Sequence, residues 1–108
     1  TPQEIALLDV KRGIKMFDKL GVKILGLIDN MSFFLGDDGK RYNIFGEGSV
    51  KKTAEEFSKK FLGEIPINPE VGKCGDNGKP IVENNLDHKI SKIFLNLANE
   101  IKSTYLWF

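Results

Sequence analysis

The sequence has one cysteine and one histidine. A single cysteine excludes an internal disulfide and any metal cage built only of thiolates, and it points to a reducing compartment. The sequence holds no HExxH or His-x-Glu zinc pattern and no Ser/His/Asp set. No apolar run reaches the ~18 residues that a membrane span needs. Charge of one sign is also missing, since Lys+Arg number 16 and Asp+Glu 15, for a net charge of +1. So even a balance supplies no global field that would recruit nucleic acid or an anionic membrane, and neither is expected as a partner. There are no repeats, no low-complexity stretch and no linker. The chain opens on Thr1 with no signal or transit peptide before it, as a processed product or a piece of a longer protein would. What is present is the composition of one soluble globular unit: 108 residues, 41% hydrophobic and 29% charged.

Thr1-Pro2-Gln3-Glu4 is a helix start. Thr1 is a cap, Pro2 suits the first helical position, and Glu4 completes a capping box. Ala6, Val10, Ile14 and Phe17 recur at helical spacing with Gly13 and Leu20 on the same side, and Gly21 is a terminator. The pattern predicts an amphipathic helix over 2–20. Val22 to Ile28 is a nearly continuous apolar run, which fits a strand buried on both faces of a parallel sheet. It ends at Asp29-Asn30, at the strand edge where open α/β sheets bind ligands. Residues 33–45 read as a loop or hairpin around Gly36-Asp37-Asp38-Gly39.

A second helix is predicted from Ser49, as cap, to Lys60, with Val50, Ala54, Phe57 and Phe61 as its stripe. Glu55/Lys59 and Glu56/Lys60 are i,i+4 pairs along it. Phe61–Ile65 is the second strand, ended by Pro66, and Asn68-Pro69-Glu70 opens a short helical turn. Residues 72–80 read as a glycine-rich loop. Asp87 caps a last helix with Ile90, Ile93, Phe94, Leu97 and Ile101 on one stripe, and the chain closes on aromatic residues. The order implies an α/β fold with a parallel crossover from residue 22 to 65. Two strands are too few for three apolar helix stripes, so more sheet is expected than this sequence encodes.

Gly46-Glu47-Gly48-Ser49-Val50-Lys51-Lys52-Thr53 nearly spells a phosphate-binding P-loop, but Lys51 stands where the second glycine belongs. A P-loop also follows a buried strand, and Tyr42–Phe45 is a poor one, so a capped surface helix is the simpler reading. Asn30 and Pro66-Ile67-Asn68 each follow a strand at its C-terminal end. A side-chain amide there can donate to and accept from a purine edge, or can serve only as turn and helix cap. Cys74 reads as a small buried residue rather than a reactive thiol.

Taken together, Thr1 to Glu4, Ala6-Leu7-Leu8-Asp9, Leu25-Gly26, Asn30-Met31-Ser32, Asn43 to Gly48, Leu62 to Pro66 and Gly78 to Val82 resemble a known family. They look like the C-terminal half of the Mrp (ApbC) family. Its members are P-loop ATPases, related to MinD and to the nitrogenase iron protein, that carry iron–sulfur clusters to apo-proteins. The resemblance covers nearly the whole chain in order. It implies the C-terminal part of a doubly wound, mostly parallel P-loop NTPase-like sheet, with residues 1–108 as one partial domain. It implies a cytoplasmic, homodimeric parent protein that uses ATP and Mg, with apo iron–sulfur proteins as clients.

The Walker A half is absent from this sequence, so the resemblance leaves this chain the adenine side of the pocket and no hydrolysis of its own. In the MinD-like group an Asn after one strand and a Pro-containing loop after the next hold the base. These match Asn30 and Pro66, Ile67 and Asn68. Many Mrp proteins also carry Cys-x-x-Cys shortly after Asn-Met-Ser, bridging a cluster across the dimer. Here Phe33 to Gly39 has no cysteine, and Asp37 and Asp38 are hard oxygen ligands, which argues against an iron–sulfur cluster on this chain. Two other readings stand beside this one. One is an interaction module that uses an exposed sheet edge. The other is a MinD- or ParA-type positioning ATPase, for which the charge balance supplies no membrane or DNA surface.

Overall fold

The structure is a computed structural model that describes residues 2–44 and 48–105. The expected cap at Thr1, the stretch Phe45-Gly46-Glu47 and the closing Leu106-Trp107-Phe108 lie outside the described residues. Helix α1 (Pro2–Lys19) is followed by β1 (Leu27–Asn30), β2 (Phe34–Leu35), β3 (Arg41–Tyr42) and α2 (Ser49–Glu56). Then come β4 (Phe61–Ile65), α3 (Pro69–Asp76), α4 (Ile81–Asn84) and α5 (Lys89–Tyr105). β1 pairs in parallel with β4, and β2 with β3 antiparallel, as two separate sheets.

Helix α1 ends as the glycine predicts. Gly21 takes φ +72°, and Val22 N–H reaches back to the Phe17 carbonyl at 2.9 Å. Its apolar stripe is another matter. Ile14 is buried, but Val10, Phe17 and Leu20 are exposed, because little lies over this side of the helix.

The first strand differs from the expectation. Residues 22–26 are irregular, and the strand runs from Leu27 to Asn30, so Asn30 is its last residue rather than the residue after it. Strand structure needs a hydrogen-bonded neighbour. The neighbour β4 starts at Phe61, opposite Leu27, and the first bond across is Leu27 N–H to the Lys60 carbonyl at 2.8 Å. Upstream of that point Gly26 makes room for the crossing chain. A Cβ there would lie 2.6 Å from Leu62 Cγ and 2.9 Å from the Lys60 oxygen. The Tyr105 hydroxyl then anchors this segment by donating to the Leu25 carbonyl at 2.8 Å.

Five more expectations are corrected. Helix α2 stops at Glu56, because Ser58 turns left-handed (φ +55°) and Lys59 N–H closes on the Ala54 carbonyl, leaving Phe61 to the strand. Its cap position is Gly48, not Ser49. The pairs expected along α2 are instead ties between elements. Lys11 meets Glu56 at 3.1 Å, Lys59 meets Asp18 at 2.7 Å and Lys60 meets Glu100 at 3.0 Å. The glycine-rich stretch is largely helix α3. It is started by Asn68, whose side chain accepts from Glu70 N–H at 2.9 Å with Pro69 in the first turn, and these start signals outweigh its glycines. Before α5, His88 rather than Asp87 takes the cap bond, with Nδ1 accepting from Ile90 N–H at 3.1 Å.

The interior is two clusters. Leu62, Ile65, Cys74, Ile81, Ile90 and Leu97 join β4 to α3, α4 and α5, with Ile93, Phe94 and Ile101 packed against them as the last stripe predicts. Ile14, Leu27 and Ala54 join α1, β1 and α2. Full burial of one such side chain contributes ~1.5–3 kcal/mol, against ~0–1 kcal/mol for an exposed ion pair, so packing sets the arrangement.

Candidate functional site at the strand ends

The parallel register puts the C-terminal ends of β1 and β4 side by side, with Asp29 opposite Glu64 and Asn30 opposite Ile65. The chain leaves β1 through a tight turn. Met31 takes φ +54°, unusual for a residue with a Cβ, and its N–H is held by Asn30 Oδ1 at 2.9 Å. Ser32 N–H then bonds the Ile65 carbonyl at 3.0 Å, and Ile67 N–H bonds the Phe33 carbonyl at 2.7 Å. The two segments picked out in the sequence are thus knitted together by their backbones.

Their side chains have different surroundings. Asn30 is exposed and edges a cleft of about 390 Å³ between α1, the end of β1 and the start of α2. Its Oδ1 is used by Met31, and its Nδ2 has no partner among the described residues, so the amide offers the cleft a donor. Pro66 is buried, Ile67 and Asn68 are half-buried, and none of the three lines this cleft. Asn68 acts as the helix cap described above.

Beneath Asn30 lies a polar string that sequence reasoning missed. Ser32 is 6% exposed, and its Oγ sits 3.2 Å from Asp29 Oδ2 and 3.1 Å from Glu64 Oε1. One hydroxyl proton can serve only one carboxylate at a time. The Arg41 guanidinium reaches Glu64 Oε1 at 3.0 Å and lies 4.0 Å over the Phe33 ring, while its Nε donates to Asn43 Oδ1. Burial, and then repulsion from Glu64, pushes the Asp29 carboxyl up from its ordinary value, with Ser32 and Arg41 acting against the rise. The hydrogen bond from Arg41 holds Glu64 below its ordinary value, with burial acting against it. The signal in the sequence was a carboxylate near the end of each apolar strand, which parallel pairing sets side by side.

The walls of this cleft are mostly apolar, with the Asn30 amide donor at the edge. Ala6, Leu7, Val10 and Val50 supply apolar walls and Asn30 a donor; among the described residues its lining includes Glu4 and Asp29 and no lysine or arginine. The near P-loop has no cradle geometry in its described part. Lys51 lies inside α2, and Thr53 is buried with its hydroxyl donated to the Ser49 carbonyl at 2.9 Å. The hairpin is present as expected, although its strands are only Phe34–Leu35 and Arg41–Tyr42. Tyr42 OH and Lys40 N–H both bond Asp38 across its turn. Cys74 is 5% exposed inside the α3–α5 cluster, its sulfur accepting from Asn84 Nδ2 at 3.7 Å. Among the described residues no three His, Cys, Asp or Glu side chains come together to hold a metal ion.

A parallel strand pair with flanking helices and a cleft at its C-terminal edge defines an α/β domain of the class in which ligands bind where the strands end. Residues 1–102 match a family model described as ParA, NUBPL iron-transfer P-loop NTPase, and the chain belongs to that family. It is 43% identical to an iron–sulfur cluster carrier protein of Aquifex aeolicus over 91% of this chain and 27% of that protein. It is 42% identical to the iron–sulfur cluster carrier protein of Saccharolobus solfataricus over 93% of this chain and 34% of the relative. With the iron–sulfur cluster transfer protein NUBPL of Dictyostelium discoideum it shares 40% identity, over 94% of this chain and 32% of the relative. The chain therefore spans between about a quarter and a third of the length of these relatives. No described helix is long and apolar enough to cross a membrane.

Proposed function

We propose that this chain is the C-terminal part of an ATP-binding protein that carries or transfers iron–sulfur clusters, and that it forms the base side of the nucleotide pocket. The observation that carries this reading is Asn30, whose Nδ2, without a partner among the described residues, sits at the end of a parallel strand on an apolar-walled cleft. Asn30 would donate to a ring nitrogen of adenine. Pro66, Ile67 and Asn68 follow the neighbouring strand end but do not line this cleft, so they would border the base only where it extends beyond the cleft. Bound ATP with Mg supplies the phosphate chemistry, and this chain's residues contribute binding and orientation only. The sequence carries no Walker A loop to cradle phosphate, so the chain alone would not hydrolyse ATP.

The whole protein would be a doubly wound, homodimeric ATPase of the cytoplasm that passes clusters to apo iron–sulfur proteins. The cluster is cargo here. The hairpin offers it no thiolate, and Cys74 is buried elsewhere, so its ligands would come from outside this chain's described residues.

Calorimetric titration tests the reading. ATP added to the 108-residue chain should give no saturable heat. In the full-length protein Asn30→Ala should weaken ATP binding by about fivefold, the loss of one hydrogen bond. Unchanged affinity in that variant, or tight binding by the chain alone, overturns it.

A second reading has its own observation. Among the described residues the β1–β4 sheet is two-stranded, so each strand has an edge there that could pair with another chain. Light scattering that shows a monomer at high concentration removes this reading.

A further inference from the structure

The hairpin strands β2 and β3 pack on each other and on no other helix or strand among the described residues. Beside the backbone bonds of Ser32 and Phe33, side-chain contacts at their base fasten them to the body. Arg41 in β3 reaches Glu64 in β4 at 3.0 Å, and Glu64 holds the Ser32 hydroxyl at 3.1 Å. Ser32 is the buried end of the left-handed turn that orients Asn30. A second route starts at the same guanidinium. It covers the Phe33 ring at 4.0 Å, and the Phe33 carbonyl is bonded by Ile67 N–H at 2.7 Å. Both strand-end segments assigned to the base therefore converge on Arg41.

We propose that Arg41 and Glu64 are positioning residues that couple occupancy of the Asn30 cleft to the hairpin. The inference rests on the reading of Asn30 as a base contact. A ligand that bonds Asn30 Nδ2 and orders the Asn30-Met31-Ser32 turn fixes the Ser32 hydroxyl. Ser32 in turn fixes the Glu64 carboxylate, and Glu64 fixes the guanidinium that seats the hairpin. The coupling requires two arrangements of this pair, with the guanidinium seated on Glu64 or withdrawn from it. A ligand biases it only by favouring the seated form. Lysine could not substitute fully, because one planar fork serves Glu64, Asn43 and the Phe33 face together.

Hydrogen exchange read by mass spectrometry on the full-length protein, with and without ATP, tests the coupling. In the natural protein ATP should slow exchange of the hairpin amides by about threefold or more. In Arg41→Gln, hairpin exchange without ATP should rise about tenfold, and ATP should no longer change it. Arg41→Lys, which keeps the charge facing Glu64 but not the fork, should retain part of the response, which a purely structural loss would not allow. Persistence of the ATP response in Arg41→Gln, or a hairpin indifferent to ATP while ATP is bound, overturns the proposal. Failure of the base-site reading shows separately, as unchanged ATP affinity in Asn30→Ala.

Discussion

The two hydrophobic clusters of this chain are built from similar residues, yet one is closed and the other is open. Around α5, Ile90 is 0% exposed and its helix stripe meets side chains from β4, α3 and α4. Around α1, Ile14 alone of the helix reaches the interior, while Val10 and Phe17 stand 43% and 41% exposed. The difference lies in what each helix packs on rather than in its sequence. α5 has a strand and two short helices beneath it, whereas α1 has one neighbouring helix, held by Ile14 and by ion pairs at its rim. An amphipathic stripe is a demand for a partner, and the α1 stripe is only partly met.

The largest expected effect is at the closed end. Ile90→Ala should cost about 2–5 kcal/mol in urea unfolding of the 108-residue chain, whereas Phe17→Ala should cost under about 1 kcal/mol. Equal losses would mean that the α1 face is covered after all. Glycines sharpen the same contrast. Gly26→Ala forces a Cβ against Leu62 and the Lys60 carbonyl and should cost about 1–3 kcal/mol. Gly13→Ala meets nothing within 4 Å, sits inside α1 and should stabilise by about 0.5–1 kcal/mol. A loss at Gly13 in thermal melts of the full-length protein would show that another element packs on this face. Tyr105→Phe removes the bond that ties α5 to Leu25 across the two regions, with an expected cost of about 0.5–1.5 kcal/mol.

The smallest effect is the pH dependence at the joint between the clusters. Glu64 is held below its ordinary value, so its contribution is present above its unfolded value and is lost as the pH falls through its folded value. Asp29 is raised, so its contribution has the opposite sign and is lost as the pH rises from its unfolded value through its folded one. Asp29→Asn should therefore gain stability relative to the natural chain at neutral pH and not at pH about 3. Denaturation curves at both pH values decide this, and an equal shift at both would contradict the sign.

Much of the fold was legible in the sequence. The α5 stripe, the Gly21 stop, the Asn68-Pro69 start and the strand 61–65 are local signals that the packing respects. What was not legible depends on pairing. Val22–Gly26 is as apolar as any strand, but it has no neighbour to bond, so the strand starts at Leu27. Lys59 and Lys60 looked like partners for Glu55 and Glu56, but the left-handed Ser58 ends the helix and swings them onto Asp18 and Glu100. At the site, Asn30 could be named from its position after an apolar run. The string of Asp29, Ser32, Glu64 and Arg41 could not, because it exists only once two strands lie parallel and a hairpin folds over their ends.

The bond from Tyr105 to the Leu25 carbonyl spans 80 positions of chain. Contacts of such separation are made late, since loop-closure entropy must be overcome before they return any stabilisation. The segment entering β1 therefore waits, during synthesis or refolding, for a helix made long after it. Until that helix docks, Leu25 lacks its anchor, and the segment entering β1 is open to any chaperone or neighbouring chain that meets it first.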